Sequence, residues 1–263
     1  MEISPDLRER QRKRLEPIAN QHGLDVQWLE RMPETPLEGV ILANEVVDAF
    51  PVTRFRVVDG KPVRAGVCID RDGFTWEWID DLGDDESTVN IVREHQLIDG
   101  YISEICPRAK AWMGALTSAL QQGIVLVIDY GFPAAEYYLP ERSEGTLRCH
   151  YQHQAHNNPL IYPGIQDVTS HVNFSALADA GRESGLDLLG YTSQEAYLLG
   201  LGLLELAAPQ PSDDEKQILK TAAEVKELIL PSQMGEAFKV MAFGKQADKP
   251  LQGFKLRDRS GSL

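Results

Sequence analysis

The chain has 263 residues, enough for one large domain or two small ones, and its 43% of hydrophobic residues is ordinary for a globular protein. Asp and Glu number 40 against 26 Lys and Arg, so the net charge is −14 and the phosphates of a nucleic acid would be repelled. An acidic surface of this kind suits a basic protein partner, or serves solubility alone. No stretch approaches the roughly 20 apolar residues of a membrane span, so no membrane partner is expected.

The cysteines and the first residues bear on the cellular compartment. Cys68, Cys106 and Cys149 are odd in number and widely spaced, which argues against a disulfide framework. The first residues resemble neither a basic signal region nor an Arg-rich transit peptide. We therefore expect a protein of the reducing cytosol, that is, a cytoplasmic protein.

The first 51 residues predict a helix followed by two strands. A Ser-Pro-Asp sequence at residues 4–6 is typical of a helix start, with Ser as the N-cap and Pro in the first turn. Short strands are predicted at residues 26–29 and 40–43. The second strand stops at Asn44 and Glu45, and polar groups just past a buried strand are how open α/β sheets build ligand sites.

The next segment changes character. Residues 52–98 begin with alternation at period two and contain the turn signals Asp59-Gly60 and Asp72-Gly73. This pattern predicts three antiparallel strands inserted into the α/β domain.

The second half of the chain returns to helices and strands. A helix is predicted at residues 100–122, which Pro107 kinks or divides. The clearest buried strand follows at residues 124–131, and Asp129 and Tyr130 lie at its end, as expected of a ligand edge. The remaining predictions are helices at residues 174–183, 194–206 and 215–228, strands at 186–191 and 237–243, and a loose tail at 248–263.

Six tracts that occur in one order along the chain carry a family resemblance. They are residues 2–11 (EISPDLRERQ), 44–52 (NEVVDAFPV), 128–133 (IDYGFP), 142–147 (RSEGTL), 163–174 (PGIQDVTSHVNF) and 234–240 (MGEAFKV). Together they resemble the MidA-like family of S-adenosylmethionine (SAM)-dependent methyltransferases. The mitochondrial members of that family are arginine methyltransferases that help to assemble respiratory complex I.

The resemblance implies an α/β fold with a Rossmann-like class I methyltransferase sheet and SAM as the cofactor. Residues 1–51 and 99–247 would form this sheet and extra helices, and residues 52–98 the inserted antiparallel β segment. The glycine-rich turn of the family has no counterpart here, so we expect a sheet truncated at its N-terminus. A truncated gene, a wrong start codon and a divergent relative are the open explanations. Unpaired sheet edges would then favour aggregation or a partner chain, such as a homodimer.

The family match also suggests cofactor-binding residues. Glu2 matches the acid that binds the ribose of SAM. The alternative is that Glu2 is only an acidic residue of a frayed chain terminus, with no binding role. Trp28 could stack on adenine, although core packing is the commoner role of such a residue. Asn44 could contact the amino-acid end of SAM or the acceptor, or cap a short helix.

Glu45 and Asp48, with Asn44, are the predicted catalytic residues. Methyl transfer to a guanidinium chiefly needs alignment, and carboxylates can hold a guanidinium bidentately. A helix cap is the alternative for Asp48.

Four more residues are predicted on the substrate side. Asp129 and Tyr130 would face the acceptor pocket or serve as a cap or turn, and Asp167 and His171 would order the loop over that pocket.

A metal site is considered and set aside. Cys149, His150, His153 and His156, with the more distant His171, invite a metal interpretation. Their spacing fits no helix face and no paired Cys supports zinc, so the prediction is that no metal binds. No GxSxG motif supports a hydrolase.

The leading hypothesis is a SAM-dependent protein arginine N-methyltransferase that acts on a basic, respiratory-complex-type protein and is impaired by the missing cofactor loop. The alternative is a non-catalytic assembly or interaction module. A nicotinamide-dependent enzyme lacks its glycine fingerprint and ranks below both.

Overall fold

A computed structural model describes residues 2, 4–71, 73–80, 86–152, 154–212, 214–247 and 250–263. In this part of the chain the helices are α1 (Pro5–His22), α2 (Glu86–Glu94), α3 (Pro107–Ala119), α4 (Ala134–Tyr137), α5 (Phe174–Glu183), α6 (Gln194–Gly200), α7 (Leu203–Leu206), α8 (Glu215–Ile229) and α9 (Met234–Ala237). The strands are β1 (Leu37–Asn44), β2 (Thr53–Val58), β3 (Lys61–Asp70), β4 (Gly73–Ile79), β5 (Ile102–Ile105), β6 (Leu120–Phe132), β7 (Arg148–Tyr151), β8 (Gln154–His156), β9 (Asp167–Thr169), β10 (Val172–Asn173), β11 (Asp187–Ser193) and β12 (Phe238–Lys245).

The central sheet has the order β1-β6-β12-β11, and β10 pairs with the far end of β6. Strands β1 and β6 are parallel, with Leu37 opposite Leu120 and Asn44 opposite Ile128. Strand β12 runs antiparallel to both β6 and β11. The carboxyl ends of β1 and β6 therefore meet at one edge of the sheet, where ligand sites of α/β proteins form.

The main core lies on one face of this sheet, under α3 and α5. Met113 of α3, Phe174 of α5 and Phe243 of β12 are each 0% exposed. Burying one such side chain contributes about 1.5–3 kcal/mol, so this face supplies much of the stability. The other face has a smaller cluster, formed by Val240, Ala242 and Phe254 with partly buried neighbours.

The first helix forms as predicted, but the strand expected after it does not. Ser4 caps α1 by accepting a hydrogen bond from the N–H of Leu7, Pro5 lies in the first turn, and Gly23 ends the helix at φ 64°. Residues 26–29 form no strand. A strand needs a neighbour to take its N–H and C=O groups, and no described strand pairs with this segment, so that prediction is wrong.

A second sheet, with the order β4-β3-β2-β5, is antiparallel. The predicted turn joins β2 to β3, because Asp59 and Gly60 have φ of 50° and 73°, the positive values that a type I′ turn requires. The second predicted turn includes Asp72, which lies outside the described residues, as do residues 81–85.

The sheet extends beyond residue 98, because β5 pairs with β2. The helix predicted from residue 100 therefore begins only at Pro107, whose ring suits the first helical turn.

The end of the chain is packed rather than loose. Phe254 is 6% exposed and covers Gly190 so closely that a Cβ there would collide with its ring. The N–H of Arg259 donates to the carbonyl oxygen of Tyr191 at 2.7 Å, and the N–H of Tyr191 donates to Asp258 at 3.2 Å. The expectation of a loose tail is thus wrong for residues 250–263.

The helix predicted at residues 194–206 is broken into α6 and α7 at Gly202, which has φ of 85°.

Strands β7, β8 and β9 form a third, small sheet. Among the described residues, no helix is both long enough and apolar enough to cross a membrane.

Candidate functional site at the carboxyl edge of the sheet

Asp129, near the end of β6, organises the segment that follows β1. Its side chain is fully buried, and its Oδ2 accepts hydrogen bonds from the N–H groups of Val46, Val47 and Asp48 at 3.3, 3.0 and 3.3 Å. Its Oδ1 accepts from the N–H of Tyr130 at 2.9 Å. These contacts are those expected of a turn residue, and a position of Asp129 facing the acceptor pocket stays a prediction.

Asp48 forms the polar centre of the site. It is 5% exposed, and its Oδ2 accepts a hydrogen bond from the hydroxyl group of Tyr130 at 2.6 Å. Its Oδ1 is buried and has no hydrogen-bond partner among the described residues. Burial, followed by the charge of Asp48, raises the pKa of Asp129 to about 7. Asp129 therefore holds its proton more tightly than an exposed aspartate does.

Asn44 and Glu45 lie at the surface. The side-chain amide of Asn44 donates to Oε1 of Glu45 at 3.3 Å, and both residues are exposed. The N–H of Glu45 donates to the carbonyl oxygen of Ile128 at 2.9 Å, and Glu45 has φ of 49°, an uncommon value for a residue with a Cβ. Glu45 and Asp48 thus occupy different environments, one exposed and one buried, and their role as a guanidinium clamp stays a prediction.

His171 lies between aromatic rings beside this cluster. Its ring centroid is 5.4 Å from that of Tyr130 and 5.3 Å from that of Phe132. Burial, and then nearby cations of which Arg142 comes first, lower the pKa of His171 to about 4, so its imidazole is neutral at pH 7. Its Nδ1 is buried without a hydrogen-bond partner in the described chain.

Asp167 is exposed on the small sheet, opposite His150. The two residues predicted to order one loop, Asp167 and His171, therefore differ in burial, and of the two only Asp167 lies on a strand.

Three charged residues at this edge were missed by sequence reasoning. Lys239 is 2% exposed, and its Nζ donates to the backbone oxygen of Glu236 and lies 3.4 Å from a side-chain oxygen of the same residue. Arg259 donates to both carboxylate oxygens of Glu236, at 2.6 and 3.1 Å. Glu236 and Lys239 are only three residues apart in the tract at residues 234–240, so the sequence could have indicated this pair. Arg259 lies near the end of the chain, and its spacing gave no such indication.

The predicted cofactor-binding residues Glu2 and Trp28 lie together beside α1. Gln11 joins them, since its amide donates to Oε2 of Glu2 at 3.1 Å and its oxygen accepts from the indole N–H of Trp28 at 3.0 Å. Oε1 of Glu2 also accepts from the N–H of Ser4 at 2.9 Å. The guanidinium of Arg12 lies 5.3 Å from the centroid of the Trp28 ring. The sequence did not single out Gln11, although it orients both side chains.

A cavity of about 680 Å³ borders the polar cluster. Val47, Ser170 and His171 line it, and the N–H of Ser170 donates to the backbone oxygen of Asp48 at 3.0 Å. Asn44 and Glu45 do not line this cavity.

No metal site is evident in the described part of the chain, where no group of three or more His, Cys, Asp or Glu could hold an ion. Cys149 is buried opposite His156 in the pairing of β7 with β8. His153 lies outside the described residues.

Comparison with known proteins places these observations in a family. Residues 1–192 match a family model described as "Putative S-adenosyl-L-methionine-dependent methyltransferase". The chain belongs to this family. The sequence resemblance to SAM-dependent methyltransferases is thereby confirmed.

Two solved structures from Burkholderia thailandensis share the fold. One is a "likely methyl transferase" bound to S-adenosyl-homocysteine. It is 40% identical, with a TM-score of 0.92, over 99% of this chain and 67% of that one. The other, an uncharacterized protein of the same superfamily, is 39% identical, with a TM-score of 0.92, over 100% of this chain and 70% of that one. These neighbours confirm the predicted methyltransferase fold and SAM as the cofactor of the family.

The mitochondrial protein arginine methyltransferase NDUFAF7 homolog of Drosophila melanogaster is also similar. It is 25% identical over an alignment of 230 residues, and the match covers 84% of this chain and 50% of that protein. The chain thus spans about half the length of this curated relative.

Proposed function

We propose that this chain carries the acceptor side of a SAM-dependent protein arginine N-methyltransferase. The observation that carries the proposal is the Asp48–Tyr130–Asp129 cluster, with both carboxylates buried, at the edge where the parallel strands β1 and β6 end. Family membership supports methyl transfer, and the name of the Drosophila relative supports arginine as the acceptor. We further propose that the substrate is a basic, respiratory-complex-type protein, and that the reaction occurs in the cytoplasm.

The charges at the cluster suit a guanidinium. SAM, when bound, supplies an electrophilic methyl group on a sulfonium. A guanidinium nitrogen that gains this methyl must lose a proton, and the unpartnered Oδ1 of Asp48 is a buried oxygen that can accept it. Tyr130 fixes the other oxygen of Asp48, so the free one has a defined direction. In this scheme Asp129 is a positioning residue, because its oxygens are taken by backbone N–H groups.

The residues predicted to hold SAM fit it in part. Each oxygen of Glu2 accepts one hydrogen bond and keeps a lone pair for a ribose hydroxyl group. Trp28 is half-buried, and because Arg12 lies over its ring it has at most one free face for adenine. Asn44 is exposed and has amide groups suited to the amino-acid end of SAM.

The test is methyl transfer from isotopically labelled SAM to an arginine-rich peptide library, with methylarginine identified by mass spectrometry. The Asp48→Asn variant should lose roughly 100-fold or more in rate, because general-base catalysis typically contributes that much. Asp187→Asn, at an exposed position of β11, is the matched control and should keep its rate. Equal rates in wild type and Asp48→Asn would overturn the assignment.

The second candidate, a non-catalytic interaction module, is favoured by one observation. Val40 and Leu42 of β1 are 68% and 63% exposed, although both sit on a strand of the central sheet. Calorimetric titration with S-adenosyl-homocysteine separates the two functions. Micromolar binding supports the enzyme, and its absence supports the module.

A further inference from the structure

The cavity of about 680 Å³ lies between the antiparallel segment and the main core. Residues of α2 line one side, residues of α3 and α5 line the other, and Tyr137 and Tyr138 contribute aromatic surface. Its volume is in the range of pockets that bury a small ligand or a long side chain. The cavity is large enough for more than bound water. The residues that line it therefore indicate what kind of ligand it can bind.

Glu104 of β5 is an unusual residue in this lining. Its side chain is 0% exposed. Its Oε2 accepts hydrogen bonds from the N–H and the hydroxyl group of Thr146, at 2.7 and 3.1 Å. Its Oε1 has no hydrogen-bond partner in the described chain, and it forms a salt bridge with Nε of Arg54 at 3.5 Å. A buried carboxylate oxygen left in this state is costly, and a donor from a ligand would relieve that cost.

The rest of the lining is apolar at depth and acidic at the surface. Val47, Ile105 and Leu177 contribute apolar surface. Glu94, Asp179 and Glu183 also line the cavity, against one lysine, Lys110, whose Nζ lies 2.6 Å from Glu183. His95 and His171 have lowered pKa values, chiefly because of burial, so they add no positive charge at pH 7.

We propose that this cavity binds the side chain of an arginine in the protein substrate, with Glu104 as the partner of its guanidinium. The apolar walls suit the methylene stem, and Oε1 of Glu104, which pairs with Arg54 but accepts no hydrogen bond, suits an N–H donor at the stem's end. Arginine fits better than lysine, because a guanidinium is less strongly hydrated and enters a buried site at lower cost.

The position of the cavity agrees with this assignment. Val47, Ser170 and His171 line the cavity and also contact or adjoin the Asp48–Tyr130–Asp129 cluster. A side chain held there would therefore lie against the edge at which we place methyl transfer. The inference rests on the proposed function for the identity of the substrate, but its test measures binding alone.

The test uses two probes of nearly the same size, N-acetyl-arginine methylamide and its citrulline analogue, titrated into the labelled chain by NMR. In the citrulline probe a neutral urea replaces the charged guanidinium. The wild type should bind the arginine probe at least about tenfold more tightly, as expected of a charged hydrogen bond. Glu104→Gln should abolish this preference while keeping an oxygen for the bonds from Thr146. Glu77→Gln, an exposed residue of β4, is the control for the same chemical change and should keep the preference.

A second variant guards against misfolding of the first. Ala176 of α5 is exposed and lines the cavity, so Ala176→Phe should fill the entrance without touching Glu104, and should weaken binding of both probes. Unchanged preference in Glu104→Gln, or unchanged binding in Ala176→Phe, would overturn the proposal. If the preference depends on Glu104 but no methylarginine forms, the pocket stands and the proposed methyltransferase activity fails.

Discussion

The two flanks of the central sheet differ sharply in how they are covered. In β12, the six residues from Lys239 to Gly244 are all buried. In β1, Ala43 is the one buried residue among eight, and Val40 and Leu42 are more than half exposed. Both strands are rich in apolar residues, so composition does not explain the difference.

The cause is the set of neighbours each strand has. Strand β12 has strands on both sides, α5 on one face, and α6 with Phe254 on the other. Strand β1 pairs only with β6 among the described strands, and its outer edge is open. An apolar strand is stabilised only where other elements remove it from water, and an open edge is a place for another strand to pair.

The largest expected effect tests the covered flank. Phe243→Ala should lower the free energy of unfolding by about 3–5 kcal/mol, because the ring is 0% exposed and packs directly on Gly181. Val40→Ala, the matched change on the open flank, should cost less than about 0.5 kcal/mol. Urea denaturation of both variants measures the difference, and equal losses would show that β1 is covered in solution.

The next effect concerns pH at the edge shared by both flanks. In the folded chain the pKa of Asp129 is raised to about 7, above the usual value of 3.8, so the folded state holds its proton more tightly. The stabilisation that this proton gives to the folded state is therefore fully present below about pH 4. It is lost as the pH rises towards 7, and its size is about 1.4 kcal/mol for each unit by which the pKa of Asp129 differs between the folded and unfolded states.

Asp129→Asn should remove that part of the pH dependence. Stability measured by urea denaturation at pH 4.5 and pH 7.5 should fall less in the variant than in the wild type. An identical fall in both proteins would contradict a raised pKa for Asp129.

A smaller effect is expected where the end of the chain meets the covered flank. Arg259→Gln should lower the free energy of unfolding by about 1 kcal/mol, because the ion pair with Glu236 is bidentate but partly exposed. The loss should shrink in high salt, which screens the pair. Arg182→Gln, whose partner Asp179 is exposed, is the control and should change stability little.

The smallest effect on stability tests the open flank. Leu42→Lys should change the free energy of unfolding by no more than about 0.5 kcal/mol, because Leu42 is 63% exposed. It should nevertheless reduce self-association, since a charge on an open edge opposes strand pairing between copies. Sedimentation velocity of wild type and variant measures this, and identical distributions would argue against a homodimer through β1.

Local signals in the sequence predicted local structure well. The start of α1 followed from Ser4 and Pro5, and the hairpin from Asp59 and Gly60, because capping and turn geometry involve only a few neighbouring residues. The strand expected at residues 26–29 does not form, because a strand needs a partner and no described strand pairs with this segment.

The candidate site was predicted only in part. Asp48, Asp129 and Tyr130 lie together, as neighbouring parallel strand ends suggested, whereas Glu45 is exposed and Asp167 lies on another sheet. Glu104 gave no sequence signal, since its importance comes from burial and from contact with Thr146, 42 residues away.

The sequence by itself determined the family, the α/β class, the capped helix and the polar character of the strand ends. These properties depend on residue type and short spacing, which are readable along the chain. Tertiary structure alone decided which carboxylates are buried, which oxygens lack a partner, and which apolar strand remains exposed. Burial and desolvation arise from elements that are distant in sequence. They raise the pKa of Asp129 and of Glu104, and they leave one oxygen of Asp48 and one of Glu104 without a hydrogen-bond partner.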